Sequence, residues 1–185
     1  MVYPIVPYGN EILRKKAMPI TSRANIRTII KRMFATVDLA NGLGLAAPQI
    51  GLSIQLFVTN FTPLENEPLA NKKAGRKVFI NPVIEVLDAT LQETYEEGCL
   101  SIPGVFVPVP RVKEISIQFL DSEFKPQKEI LKDMRARVVL HEYDHLLGKL
   151  NIDYADEAKK QEIAHGLKTI EAGKVRVNYP MLIGK

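Results

Sequence analysis

A single cysteine, Cys99, excludes an internal disulfide. No stretch stays apolar for the ~20 residues that a membrane-crossing helix needs, so no membrane association is expected. The opening residues, Met1 to Pro7, have no charged start followed by a long apolar run, which argues against a secretory leader there. Internal repeats and low-complexity tracts are lacking too, which excludes a repeat architecture. Neither sign of charge dominates: 25 Lys and Arg against 21 Asp and Glu leave a net +4. That bias favours approach to an anionic surface such as ribosomal RNA, but it is too small and scattered for specific nucleic-acid recognition. These absences describe a soluble, cytoplasmic chain. In that setting a lone cysteine points to metal binding or catalysis, against the plainer alternative of a buried structural thiol.

What is present fits an ordinary globular chain. Its 185 residues suit one domain with one core, with 46% apolar and 25% charged residues. Ile26, Ile29, Ile30, Met33, Phe34, Val37 and Ala40 recur at helical spacing. They predict an amphipathic helix from about Asn25 to Asn41, with Gly42 placed to end it. Strands are expected over Ser53–Phe61, Val78–Val86, Thr90–Glu96 and Glu114–Leu120, and an exposed loop over Thr62–Lys77. From Asp133 the period is helical again, and Met134, Val138, His141 and His145 fall on one stripe. A last helix is expected over Asp156–Ala172, with Ile163, Leu167 and Ile170 inward. Lys174–Tyr179 alternates like a short edge strand. A helix, several strands and then helices argue for α+β rather than alternating βαβ units.

The segment His141-Glu142-Tyr143-Asp144-His145 carries the sharpest chemistry. Residues four apart lie nearly above one another on a helix, so both imidazoles can reach one divalent metal. Glu142 lies beside them, placed to handle the proton of a water activated there. Such a site needs at least one more protein ligand. One protease class continues this pattern with a third His, but Asn151 stands at that position, and an amide is a poor ligand for a transition metal. Cys99, His165 or a carboxylate remain. His165 falls on a mostly charged helix and reads as a surface residue. Cys99 lies in Glu97-Gly98-Cys99-Leu100-Ser101, where Gly98 permits an unusual backbone beside the thiol. A thiolate ligand makes the metal less electrophilic, which shifts the burden to hydrogen-bond donors around the substrate oxygen. The segment Gly42 to Gly51 offers Gln49 as such a donor; a tight turn with Gln49 bound to backbone is the alternative.

The three segments GLGLAAPQIG, EGCLS and HEYDHLLG, in this order, resemble the signature motifs of peptide deformylases. The likeness runs from about Tyr8 to the final helix. It implies a single catalytic domain over residues 1–185, with mostly antiparallel strands around a central helix carrying the HExxH motif. It implies Cys99, His141 and His145 as ligands of one divalent metal, Fe²⁺ in the cell, with Zn²⁺, Ni²⁺ or Co²⁺ as other occupants. Glu142 would be the general acid/base, and Gln49 with the Leu100 N–H would hold the oxyanion. The implied reaction removes the formyl group from the N-terminal formyl-methionine of nascent peptides and releases formate. Leu43, Gly44, Met134 and Val138 are expected around the substrate, although plain core burial would also account for Met134 and Val138. Arg111 is expected to brace Glu97. Lys159, Lys160, Lys168 and Lys174 are candidates for docking near the ribosomal exit. Leu140, where the family often has Gln, the loop of residues 61–77 and the stretch Val105–Arg111 depart from the family pattern. A zinc endopeptidase and a non-catalytic metal-binding module are the competing readings. The missing third His opposes the first, and intact Glu142 and Gln49 oppose the second.

Overall fold

The computed structural model, described for residues 1–64 and 75–183, orders the chain as α1 (Ile26–Ala40), β1 (Gly44–Ala46), β2 (Leu56–Asn60), β3 (Arg76–Val86), β4 (Gln92–Cys99), β5 (Ile102–Val112), β6 (Glu114–Leu120), β7 (Pro126–Lys132), α2 (Asp133–Leu146) and α3 (Glu157–Glu171). Period-two alternation decides how they assemble. On β2, Leu56 and Val58 face one side and Phe57 the other, and all three are fully buried. The sheet that contains them is therefore covered on both faces. It runs β1-β2-β3-β6-β7, antiparallel at every pairing.

Against one face lies α1, whose Met33 and Val37 meet Leu45, Leu56, Val58 and Ile80. Against the other lies α2, with Val139 and Leu146 over Phe57, Phe79, Ile115 and Phe119. Phe57 and Phe79 are register partners on neighbouring strands, their ring centroids 4.6 Å apart. Full burial of each such side chain contributes roughly 1.5–3 kcal/mol relative to exposure. A second, two-stranded sheet of β4 and β5 packs with α3 through Val107, Val109, Ile163 and Ile170. The result is an α+β fold with α2 enclosed between the two sheets. That enclosure is why α2 buries Arg137, Glu142, Asp144 and His145 as well as its apolar residues.

Several expectations need correction. Val105–Arg111 belongs to β5, a strand that its prolines conceal. Its odd positions from Val105 to Arg111 are buried, while Pro108 and Pro110 point outward opposite Glu96 and Thr94. A missing N–H is tolerated in such a short-edged ladder. β7 was also invisible, because Leu131 is its one buried residue. Asn41, not Gly42, takes the left-handed conformation that ends α1, at φ 52°, and the Gly42 N–H closes back onto Val37. Residues 174–179 form no strand; one parallel bridge joins Met181 to Ile5 instead. Most of the loop expected over residues 62–77 lies outside the described residues.

Candidate metal centre

His141 and His145 stand one turn apart on α2, their ring centroids 5.1 Å apart. Cys99 is the last residue of β4, where the register with β5 shifts between Gly98 and Cys99. That irregularity turns the thiol toward α2 and puts Sγ 3.4 Å from His145 Nε2. One ligand atom from each of Cys99, His141 and His145 lies within 4.8 Å of the others. Gly98 serves this arrangement differently from expectation: its backbone is not left-handed, but a Cβ there would stand 2.8 Å from the Phe106 ring. His165 is exposed on α3 and has no part in the cluster. Asn151, at the third-histidine position of the protease pattern, donates from Nδ2 to the Glu97 carbonyl at 2.7 Å.

A buried ionic network orients the first histidine. Glu97 Oε2 lies 3.0 Å from His141 Nδ1, which leaves Nε2 as the free ring nitrogen. Arg111 braces Glu97 as expected, with a two-point contact at 3.0 and 2.9 Å, and its Nη1 reaches Asp144 at 2.6 Å. Arg137 adds a third bond to Glu97 at 2.7 Å. Tyr154 donates to the same Asp144 oxygen at 2.8 Å. Burial alone would raise the Glu97 carboxyl, but hydrogen bonds from His141 and Arg111 outweigh it and hold the group at about 2. Burial keeps His145 well below its ordinary range, so its imidazole is neutral as a ligand requires.

The donor set suits a divalent transition metal: one thiol and two imidazoles converge, with a carboxylate anchoring one of them from behind. Glu142, 4% exposed, has an Oε2 with no hydrogen bond to the protein among the described residues. Burial pushes its carboxyl up to about 7, with the Glu97 charge adding and His141 and Arg111 opposing. Gly44 presses on it, since a Cβ there would stand 2.5 Å from Glu142 Oε1 and 2.7 Å from Cγ.

Gln49 is buried, and its Oε1 accepts from the Ala46 N–H at 2.8 Å. This sets the amide so that Nε2 faces Cys99 Sγ at 3.5 Å and Ser101 Oγ at 3.4 Å. Leu43, Gly44, Gln49, Leu100, Met134, Val138, His141 and Glu142 all border one cavity of about 660 Å³. Met134 is 40% exposed on that wall, so it is not core, whereas Val138 is both core and wall. Sequence reasoning missed Arg137, Asp144 and Tyr154 in the network. Arg137 and Asp144 left a signal, since they lie four residues before and three after His141 and so share its helical face.

The polypeptide deformylase family profile matches residues 2–161. The chain is 39% identical to a peptide deformylase of Cytophaga hutchinsonii over 182 residues, covering 98% of this chain and 97% of that protein. It is 38% identical to one from Chlorobium luteolum, covering 98% and 93%. Among solved structures, the peptide deformylase of Thermus thermophilus superposes with a TM-score of 0.82 at 36% identity, covering 92% of this chain and 98% of that one. The peptide deformylase of Legionella pneumophila does so at 0.82 and 32%, covering 95% and 99%. Likeness at this level through nearly the whole of both chains extends far beyond three short motifs, and the chain belongs to the polypeptide deformylase family.

Proposed function

We propose that this chain is a metal-dependent hydrolase that removes the formyl group from the N-terminal formyl-methionine of nascent polypeptides, working in the cytoplasm as one catalytic domain over residues 1–185. The observation that carries this reading is the cluster of Cys99, His141 and His145 at the edge of a cavity that Cys99, His141, Glu142 and Gln49 border. Cys99, His141 and His145 would hold one divalent metal. The family likeness favours Fe²⁺ in the cell, and the same donors accept Ni²⁺, Co²⁺ and Zn²⁺. When bound, the metal supplies a Lewis acid for the formyl carbonyl and acidifies water.

The protein's own groups divide the remaining work. Glu142 takes the proton of the attacking water as the water oxygen bonds to the formyl carbon. The same carboxyl returns that proton to the leaving nitrogen as the C–N bond breaks, giving formate and a free amine. Gln49 Nε2 and the Leu100 N–H donate to the oxyanion that develops between these steps. Leu43, Met134 and Val138 give the methionine side chain an apolar surface, and Gly44 borders the same cavity while leaving room for the Glu142 carboxylate.

The primary test is formate release from formyl-Met-Ala-Ser by protein purified without oxygen and loaded separately with Fe²⁺, Ni²⁺ and Zn²⁺. Turnover with Fe²⁺ or Ni²⁺, lost in Cys99→Ala, is the expected result. No turnover despite one bound equivalent of each metal would move the assignment to another acyl substrate or to a peptidase. Gly44→Ala should lower turnover by about 10²-fold with metal content unchanged, because the new methyl displaces the Glu142 carboxylate. A loss below threefold would show that the carboxylate tolerates the shift.

Ribosome docking is a finer part of the proposal. Lys159 and Lys160 are paired with Glu162 and Glu157, so Lys168 and Lys174 are the lysines left for an anionic surface. Lys168→Glu with Lys174→Glu should weaken cosedimentation with ribosomes; unchanged cosedimentation would remove docking by these residues.

A further inference from the structure

The segment after α3 forms one wall of the catalytic cavity. Gly173, at φ +67°, turns the chain back from the helix end, and Arg176, Val177, Asn178 and Tyr179 then border the cavity beside Leu100. The path of this segment is anchored. Tyr179 donates its hydroxyl to the Leu100 carbonyl at 2.8 Å, and its ring packs on the α1 core. Beyond it, the Ile5 N–H donates to the Pro180 carbonyl at 2.8 Å and the Leu182 N–H to the Ile5 carbonyl at 2.9 Å. Ile5 itself is fully buried. Residues 176–178 are thus held at the rim between a helix end and a buried anchor, and do not form a loose tail.

The charges on the cavity wall are unequal in their commitments. Glu97, Arg137 and His141 satisfy one another, and Glu142 serves the chemistry. Glu96, on the same rim, is exposed too, and Lys159 of α3 pairs with Glu162 rather than with it. Arg176 is a cation of the wall without such commitments: it is exposed and, among the described residues, has neither an ion pair nor a hydrogen bond. Its guanidinium presents a fork of donors that matches a carboxylate. A formylated chain that places its formyl group at the Cys99 cluster leaves past the cavity rim, on which Arg176 stands together with Glu96, Gly104 and Phe106.

We infer that Arg176 is a specificity-determining residue that favours formylated chains carrying a carboxylate within the first few residues after the methionine. The inference rests on the deformylase reading and adds a preference to it. Because this contact lies away from the bond that breaks, substrate and transition state gain from it alike. The preference therefore appears in KM rather than kcat.

The experiment measures kcat and KM for C-terminally amidated formyl-Met-Ala-Ala-Ser peptides with Glu, Gln or Lys at the second, third or fourth residue. Metal-loaded wild type, Arg176→Gln and Arg176→Glu are compared at low and high salt. Wild type should favour Glu over Lys at one of these positions by about fivefold at low salt. The ratio should fall to about one in Arg176→Gln, invert in Arg176→Glu, and shrink for wild type near 1 M salt, where the screening length is about 3 Å. An equal Glu-to-Lys ratio in all three proteins, with formate still released, would overturn the role of Arg176 and leave the deformylase reading standing. If wild type releases formate from none of the peptides, the deformylase reading fails and this inference fails with it.

Discussion

Replacing Glu142 by glutamine should lower kcat for formate release by about 10²–10⁴-fold while the metal content stays at one equivalent. The expectation rests on where α2 puts this carboxyl. It is almost fully buried beside His141, and burial raises it to about 7, so at neutral pH it can both take and return a proton. Its Oε2 is buried and makes no hydrogen bond to the protein among the described residues, so no protein partner competes for it. Glutamine keeps the shape that fits against Gly44 and removes only the proton acceptor, so the fold and the Cys99, His141 and His145 cluster should survive. Formate release and metal analysis on the same sample check both halves of the expectation. Turnover within tenfold of wild type would reject the proton-transfer role.

Glu97→Ala should destabilise the fold by about 3–5 kcal/mol, because it leaves the buried Arg137 without a counter-charge and Arg111 with one carboxylate in place of two. The Arg111 and Glu97 side chains are 5% and 6% exposed, and Arg137 shares the same carboxylate. After the substitution, Arg111 would keep Asp144, and Arg137 would keep only carbonyls such as that of Val109. For a chain of this length the loss corresponds to a fall of roughly 6–20 °C in Tm. Thermal unfolding followed by circular dichroism measures it, and a fall below 2 °C would show that the network contributes little. Glu97→Gln should lie between the two and should also weaken metal binding about 10–100-fold, since it alters the anchor of His141.

The pH dependence of Glu97 has a definite sign. Its carboxyl is held at about 2 against an ordinary 4.5, so the stabilisation is fully present above about pH 4.5 and disappears as pH falls through 2. The stability gap between wild type and Glu97→Gln should therefore narrow across that window. A gap that is constant from pH 5 to pH 2 would contradict the depressed carboxyl.

The two histidines of the candidate metal centre were legible because their signal is local. His141 and His145 share a face by helical period alone, and α1, β2, β3 and β6 follow from periodic apolar residues within each segment. Gln49 and Cys99 needed more. Nothing in their own neighbourhoods links residues 50 apart, and only the joint resemblance of three segments suggested that they meet. Strand β5 stayed hidden because Pro103, Pro108 and Pro110 mask the alternation that its buried valines obey. The charged edge strand β7 buries too little to show any period.

By itself the sequence determined the periodic elements and the chemistry available to the site: two imidazoles one helical turn apart, one thiol, one carboxyl and one amide. Those are properties of spacing and side-chain type, which no distant contact can alter. Only the tertiary structure decided why Gly44 and Gly98 must be small, since the atoms they yield to, Glu142 Oε1 and the Phe106 ring, come from other elements. It alone decided that Arg111, Arg137, Asp144 and Tyr154 form one buried network and that Arg176 stands on the cavity wall. Burial and long-range pairing arise when α2 is enclosed between two sheets, and that enclosure sets the charge and position of every group at the site.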